Sequence, residues 1–177
     1  MEHNLTESEI ISLISPEPVR VFRFKNLEDA KISDIINKNN PNAVIHYQIG
    51  EDENHINGHW CAMKYLDKHN IAYFDSYGSN VDAILKKIPK EYKAMSGQNK
   101  PFLIEAMIRD PELKNNDYIW FNSSRLQKSD PEINTCGRWV GFFLKMDMNP
   151  DDFARFIKRI AKYNKLSTDE LIVILTS

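Results

Sequence analysis

Residues 59–78, HWCAMKYLDKHNIAYFDSYG, place two mainly apolar runs on either side of the turn-like DKHN. Short apolar runs bounded by turn residues read as strands, and two so closely spaced read as an antiparallel hairpin. A hairpin sets the start of its first strand beside the end of its second. His59 stands at one of these positions and Asp75 at the other, so local sequence brings an imidazole next to a carboxylate. A carboxylate fixes the tautomer of a histidine and stabilises its cation, as the base of a nucleophilic pair requires. Taken singly, both residues have plainer readings, His59 as a satisfied half-buried histidine and Asp75 as a turn residue of DSYGS.

Outward from the hairpin, further elements alternate. On the N-terminal side, TESEIISLI carries Thr6 and Glu9 at capping-box spacing, which predicts a short helix. VRVFRF alternates apolar residues with arginine, the period of a strand with one wet face. NLEDAKISDIINK predicts a helix capped by Asn26, and NAVIHYQIG another strand. On the C-terminal side, residues 79–98 read as helical with a break at Pro89, where the ring removes an N–H donor. PFLIEAMIRD predicts a helix and DYIWFNSS a strand. Two helices close the chain, one with Asn149 as cap and Pro150 at its first position, the other with Ser167 and Glu170 as a second capping box. The fold class expected is α+β, a central mixed or antiparallel sheet flanked by helices, in one domain over residues 1–177.

NTCGRWVGFFL, residues 134–144, sets Cys136 and Gly137 at the head of an apolar helix. Cysteine reacts as the thiolate, which a helix N-terminus or a neighbouring imidazolium favours. Gly137 offers no side chain, so a substrate backbone could approach the thiol. A buried cysteine acting as a small hydrophobe is the commoner case, and only His59 and Asp75 shift the balance toward a nucleophile.

The chain has 177 residues, 42% hydrophobic and 27% charged, with a formal net charge of −2, an ordinary globular composition with no global pull toward nucleic acid or anionic membrane. The N-terminal stretch is acidic where a secretory signal is basic, and no apolar run approaches the roughly 20 residues of a membrane span. Two cysteines, Cys61 and Cys136, are read as free thiols. His55, His59 and Cys61 form an H-x3-H-x-C that matches no standard zinc spacing. Arg155, Lys158, Arg159 and Lys162 share one helix face, read as solvated or as a weak phosphate-tracking stripe.

The order His-Trp, then FDSYG after the following strand, then a glutamine, then Cys-Gly entering an apolar helix resembles the adenain and Ubl-protease superfamily of cysteine proteases. The likeness spans residues 58–144, about half the chain. It covers the maturation proteases of adenoviruses, large DNA viruses and virophages, and the SUMO deconjugases. It implies a papain/adenain-like fold with the nucleophile at the N-terminus of a central helix. It also implies Cys136 as nucleophile, His59 as base and later acid, Asp75 as orienting carboxylate, and Gln127 with the Cys136 backbone N–H as oxyanion donors. Trp60 and Gly137 would flank the active centre, with Tyr47, Tyr77, Trp120 and Trp139 as further aromatic candidates for the groove. Relatives place the glutamine closer to the nucleophile, and cellular deconjugases have Asp before the cysteine where this chain has Thr135, which points to the viral branch. The implied function is cleavage of viral capsid or core precursors during virion maturation, in the virion and the host-cell virus factory, by a monomer needing no metal or other cofactor. An activating peptide or DNA is compatible with it. The alternative on the same apparatus is a deconjugase of SUMO or a ubiquitin-like protein, such as a bacterial effector.

Overall fold

A computed structural model describes residues 5–51, 56–113, 117–130 and 132–177. The chain is α+β. Five strands form one mixed sheet in the order β1-β2-β3-β4-β5: β1 Arg20–Arg23, β2 Asn42–Glu51, β3 Ile56–Asp67, β4 Asn70–Phe74 and β5 Tyr118–Phe121. The β2–β3 and β3–β4 pairs are antiparallel, while β1 runs parallel to β2 and β5 parallel to β4. Among the described residues seven α-helices surround the sheet: α1 Glu7–Ile14, α2 Ile32–Ile35, α3 Lys90–Met95, α4 Phe102–Arg109, α5 Cys136–Lys145, α6 Pro150–Asn164 and α7 Thr168–Leu175.

Strand periodicity divides the interior into two cores, since successive side chains point to opposite faces. On one face Val44, Trp60, Ala62, Ala72 and Phe74 meet the apolar sides of α1, α5, α6 and α7. On the other, Ala43, Ile45, Tyr47, Cys61, Met63, Ile71 and Tyr73 meet α2, α4 and two 3-10 turns at Phe24–Leu27 and Ala83–Lys87. Phe74 stacks on Phe143 of α5 at 4.6 Å and meets Phe153 of α6 edge-on at 5.4 Å. Each such buried ring contributes about 1.5–3 kcal/mol relative to its exposed state.

The caps expected at both ends are present: Thr6 with Glu9 opens α1, Asn149 opens α6 ahead of Pro150, and Ser167 with Glu170 opens α7. Two expectations need correction. The helix expected from Asn26 is a 3-10 turn at Phe24–Leu27 followed by a separate α2. The Asp34 carboxylate takes the Lys31 N–H at 2.9 Å and starts a new helix there, and Asp110 holds the next free donor, Ser33 N–H, at 2.7 Å. Residues 79–98 are interrupted at Pro89 as expected, but the part before it is a 3-10 turn at Ala83–Lys87 rather than an α-helix, and α3 follows. Asp82 enters that turn in the left-handed region, at φ 57°, with its carboxylate tied to Tyr47 and to the first turn of α4.

Helix α5 is the member that carries Cys136. Its two glycines form the seat of α1: a Cβ on Gly137 would lie 3.0 Å from Leu5 Cβ, and one on Gly141 would lie 2.6 Å from Leu13 Cδ2. The bare side of Gly137 therefore faces α1 rather than a substrate, which corrects its assignment as an opening beside the thiol. No helix among the described residues is long and apolar enough to cross a membrane.

Candidate active site

Strand register builds the first half of the site. His59 pairs with Tyr47 across β2, and β3 pairs with β4 as far as Ala62 opposite Phe74. One step further along the same register sets Cys61 opposite Asp75, with His59 diagonal to it on the same face. The polar atoms of His59, Cys61 and Asp75 accordingly lie within 4.8 Å of one another, all buried. His59 is the fourth residue of β3 rather than its first, because the strand begins at Ile56.

His59 Nε2 meets Asp75 Oδ1 at 2.7 Å, and the backbone N–H of Tyr77 donates to the same oxygen at 2.9 Å. Such a separation is that of a hydrogen bond with a proton between the atoms. Two ligands each about 2.0–2.2 Å from one ion would stand further apart. The other member of the H-x3-H-x-C reading, His55, lies outside the described residues.

Burial works against a charged His59, but the adjoining Cys61 sulfur and hydrogen bonds with Asp75 and Cys136 outweigh it and hold the ring well above the ordinary histidine value. Asp75 is the partner that is anionic at neutral pH, so it carries that direction. Burial would raise Asp75 in turn, yet the His59 hydrogen bond and charge, with the Tyr77 N–H, keep its carboxyl below the usual carboxylate range. The two shifts describe one ion pair. Burial and then the Asp75 charge push the Cys61 thiol up to about 11, so this cysteine stays neutral.

Asp75 itself is fixed through its backbone. Asn122, which is fully buried, accepts the Asp75 N–H at 3.1 Å and returns a donor to the Asp75 carbonyl at 2.6 Å. The turn that follows closes with Gly78 N–H on Asp75 O at 2.8 Å. Gly78 has φ +70°, and a Cβ there would fall 2.7 Å from the Ser124 backbone, so only glycine lets this turn lie against residues 124–125. Tyr77 stacks on the His59 ring at 4.6 Å with 17° between planes and forms one wall of the site.

The second half comes from α5 and the loop before it. Cys136 is the first residue of α5 and only 3% exposed. The leading N–H groups of a helix have no intrahelical acceptor, so the Cys136 position combines a thiol with backbone donors of the first turn. Thr135 makes no side-chain cap and instead turns its hydroxyl to Asp169 in the first turn of α7, at 2.7 Å. Gln127 is buried next to this loop. Its NH2 donates to the Ile133 carbonyl at 3.0 Å, and its Oε1 accepts from the Ser76 hydroxyl at 2.7 Å. A carbonyl can only accept, so the amide cannot be turned the other way. The second N–H of the amide has only a long contact, 3.4 Å, with the Tyr77 hydroxyl.

The structure thus brings together Cys136, His59 and Asp75, with Gln127 one loop away from the thiol. Trp60 is buried on the opposite face of β3 from His59, packed by His46 at 4.6 Å with Arg23 above it at 5.7 Å. It anchors the core beneath the site. Tyr47 and Trp139 are buried inside the two cores, and Trp120 lies on β5 with its indole N–H on Asn70. Of the aromatic candidates, Tyr77 is the one that stacks on the His59 ring. Asn122 and Ser76 are site residues that sequence reading passed over; NSS after an apolar run and Ser after Asp carry no distinctive spacing. The Arg155–Lys162 stripe is exposed, with Arg155 paired to Asp152.

No protein-family model matches the chain. Over 120 residues, 67% of this chain, it is 32% identical to the protein described as "Uncharacterized protein V9" of Sputnik virophage. The matched region spans 66% of that relative, just under two thirds of its length. The similarity relates the chain to a virophage protein.

Proposed function

We propose that the chain is a cysteine endopeptidase of the adenain and Ubl-protease type, cleaving viral capsid or core precursors during virion maturation. The observation that carries this reading is the buried His59–Asp75 pair at 2.7 Å, with the buried Cys136 at the head of α5 close enough to the same ring to favour its charged form. A buried pair from one hairpin and a buried thiol about 60 residues further on are the residue types that a nucleophile, its base and an orienting acid require, which supports the reading. The virophage relative supports the viral half of the reading.

In the reaction, the Cys136 thiolate attacks the scissile carbonyl carbon and the π electrons move to its oxygen. The oxyanion rests on the Cys136 backbone N–H and on the Gln127 N–H that has only a long contact in the free enzyme. The imidazolium of His59 protonates the leaving amine as the C–N bond breaks, which leaves a thioester. Neutral His59 then takes a proton from water, the hydroxide attacks the thioester, and the acid product and the thiolate are released. Asp75 holds the ring and stabilises its charged form through both steps.

The test is incubation of the purified protein with virophage structural precursors on one side and a ubiquitin-like precursor on the other, with new N-termini mapped by mass spectrometry. Cleavage of the viral precursors by wild type and none by Cys136→Ala is expected. Cleavage of the ubiquitin-like precursor alone would move the chain to the deconjugases. Equal behaviour of wild type and Cys136→Ala, with an iodoacetamide rate at Cys136 no faster than in the unfolded chain, would end the protease reading.

A further inference from the structure

Asp169 stands in the first turn of α7, yet both of its oxygens bond outside that helix. Oδ1 accepts from the Thr135 hydroxyl at 2.7 Å and from the Trp139 indole N–H at 3.4 Å, while Oδ2 accepts the backbone N–H of Lys128 at 2.9 Å. Beside it, the Thr168 hydroxyl donates to the Leu126 carbonyl. The N-terminus of α7 therefore grips two separate segments, residues 126–128 on one side and 135–139 on the other. The first carries Gln127, and the second carries Cys136.

Capping does not account for this carboxylate, because Ser167 and Glu170 already close the α7 capping box reciprocally. Nor does a solvent-facing acid need a hydroxyl, an indole and a main-chain N–H converging on it. What the arrangement fixes is one separation. Eight residues, KSDPEINT, separate Gln127 from Cys136; among the described ones Ile133 N–H bonds Asp130 O at 3.0 Å and the Ile133 carbonyl accepts from the Gln127 amide, while Lys128 and Thr135 both reach Asp169. Ser76 holds the Gln127 end and the packed body of α5 holds the Cys136 end, so what remains to be set is the distance between them. Asp169 ties both ends to one side chain, from 34 residues beyond Thr135.

Building on the proposed protease activity, we infer that Asp169 is a positioning residue that sets the distance between the Gln127 amide and the Cys136 backbone N–H, the two donors of the oxyanion hole. Such donors stabilise charge that exists only in the transition state, so their placement governs turnover rather than substrate binding. Among the described residues Asp169 bonds neither His59 nor Asp75, so the base and its orienting acid are held independently of it.

The experiment compares wild type with Asp169→Ala, Asp169→Asn, Thr135→Val and Thr135→Ser on a fluorogenic peptide amide ending in Gly-Gly. The matching peptide aldehyde, whose adduct with the thiol carries the same oxygen, serves as a second probe. For Asp169→Ala, kcat falls roughly 30- to 100-fold with KM within about threefold, as expected for a displaced oxyanion donor. Affinity for the aldehyde falls in parallel. Iodoacetamide alkylation of Cys136 and the pH profile stay at wild type, which a general loss of structure would not allow. Asp169→Asn and Thr135→Val fall part of the way, and Thr135→Ser recovers. Unchanged kcat and aldehyde affinity in a folded Asp169→Ala protein overturn the inference. So does a fall in alkylation that matches the fall in kcat. If Asp169→Ala does not fold, Asp169→Asn and Thr135→Val decide by the same readouts. Wild-type turnover no greater than that of Cys136→Ala defeats the protease reading itself, a result distinct from either.

Discussion

His59 and Asp75 reach each other through strand register across 16 residues, whereas Cys136 and Gln127 are placed by side-chain hydrogen bonds from Ser76, Ile133 and Asp169. The first half sits where β3 and β4 part, with β3 still paired to β2 at His59 and Asp75 one residue past the end of β4. The second half sits at a helix head and a loop, where single bonds decide position. The contrast separates two kinds of failure. Damage to the sheet half alters protonation, and damage to the loop half alters geometry.

The deepest cut removes the chemistry common to both halves. Cys136→Ala and His59→Ala each lower kcat/KM by roughly 10⁴- to 10⁶-fold, and the double variant is little worse than either, because the two groups act as one unit. Single-turnover assays at matched folded concentration check this. Asp75→Asn is next, at roughly 10²- to 10⁴-fold, and it tests the sheet half alone. Its Asp75 hydrogen bond holds His59 above the ordinary histidine value. The alkaline limb of the pH profile, where the imidazolium is lost, therefore lies above pH 6.5 in wild type and moves down in the variant. A limb that stays in place breaks the assignment of Asp75.

Stability tests the same division at smaller cost. His46, opposite Trp60 in the β2–β3 pairing, is buried and held neutral, its pKa pushed down to about 4 by burial first and then by the charges of Arg23 and His59. The unfolded chain binds that proton near pH 6.5 and the folded chain only near pH 4. This site thus withdraws stability as pH falls from about 6.5 to 4, by roughly 3 kcal/mol in all. Guanidinium midpoints across that range should show a decline that His46→Gln flattens. The smallest effect belongs to the helix half. Gly137→Ala pushes against the Leu5 Cβ at 3.0 Å and should cost about 1–2 kcal/mol, with turnover per folded molecule preserved. A Gly137→Ala protein of full stability but lost activity would restore Gly137 to the substrate path.

The same division explains what the sequence revealed. Register follows from local pattern, so the hairpin, and with it the meeting of His59 and Asp75, was legible in HWCAMKYLDKHNIAYFD. Caps were legible at Thr6, Asn149 and Ser167, because they depend on neighbours within three residues. The helix expected from Asn26 failed because Asp110, distant in sequence, claims Ser33 N–H and favours a fresh start at Ile32. Gly137 was misread for the same reason: the residue it makes room for, Leu5, lies at the other end of the chain. Asn122 and Asp169 were invisible, since an Asn in NSS and an Asp in STDE look like ordinary turn and cap residues until the backbone they hold is in view. Trp60 follows the histidine as it does in the family resembled, yet strand alternation alone turns its side chain away from His59.

The seating of α5 has a consequence for when the site exists. Leu5 and Leu13 press on Gly137 and Gly141, and Arg138 donates to the Thr176 carbonyl and hydroxyl, 38 residues further on. Both flanks of the polypeptide thus close upon one helix, and such long-range contacts form late, after the costly loops between them have been drawn in. A chain halted on the ribosome after α6 already holds Cys136, His59 and Asp75, but it lacks Asp169 and Thr176. The surroundings of Cys136 are complete only when segments on both sides of α5 have docked on it.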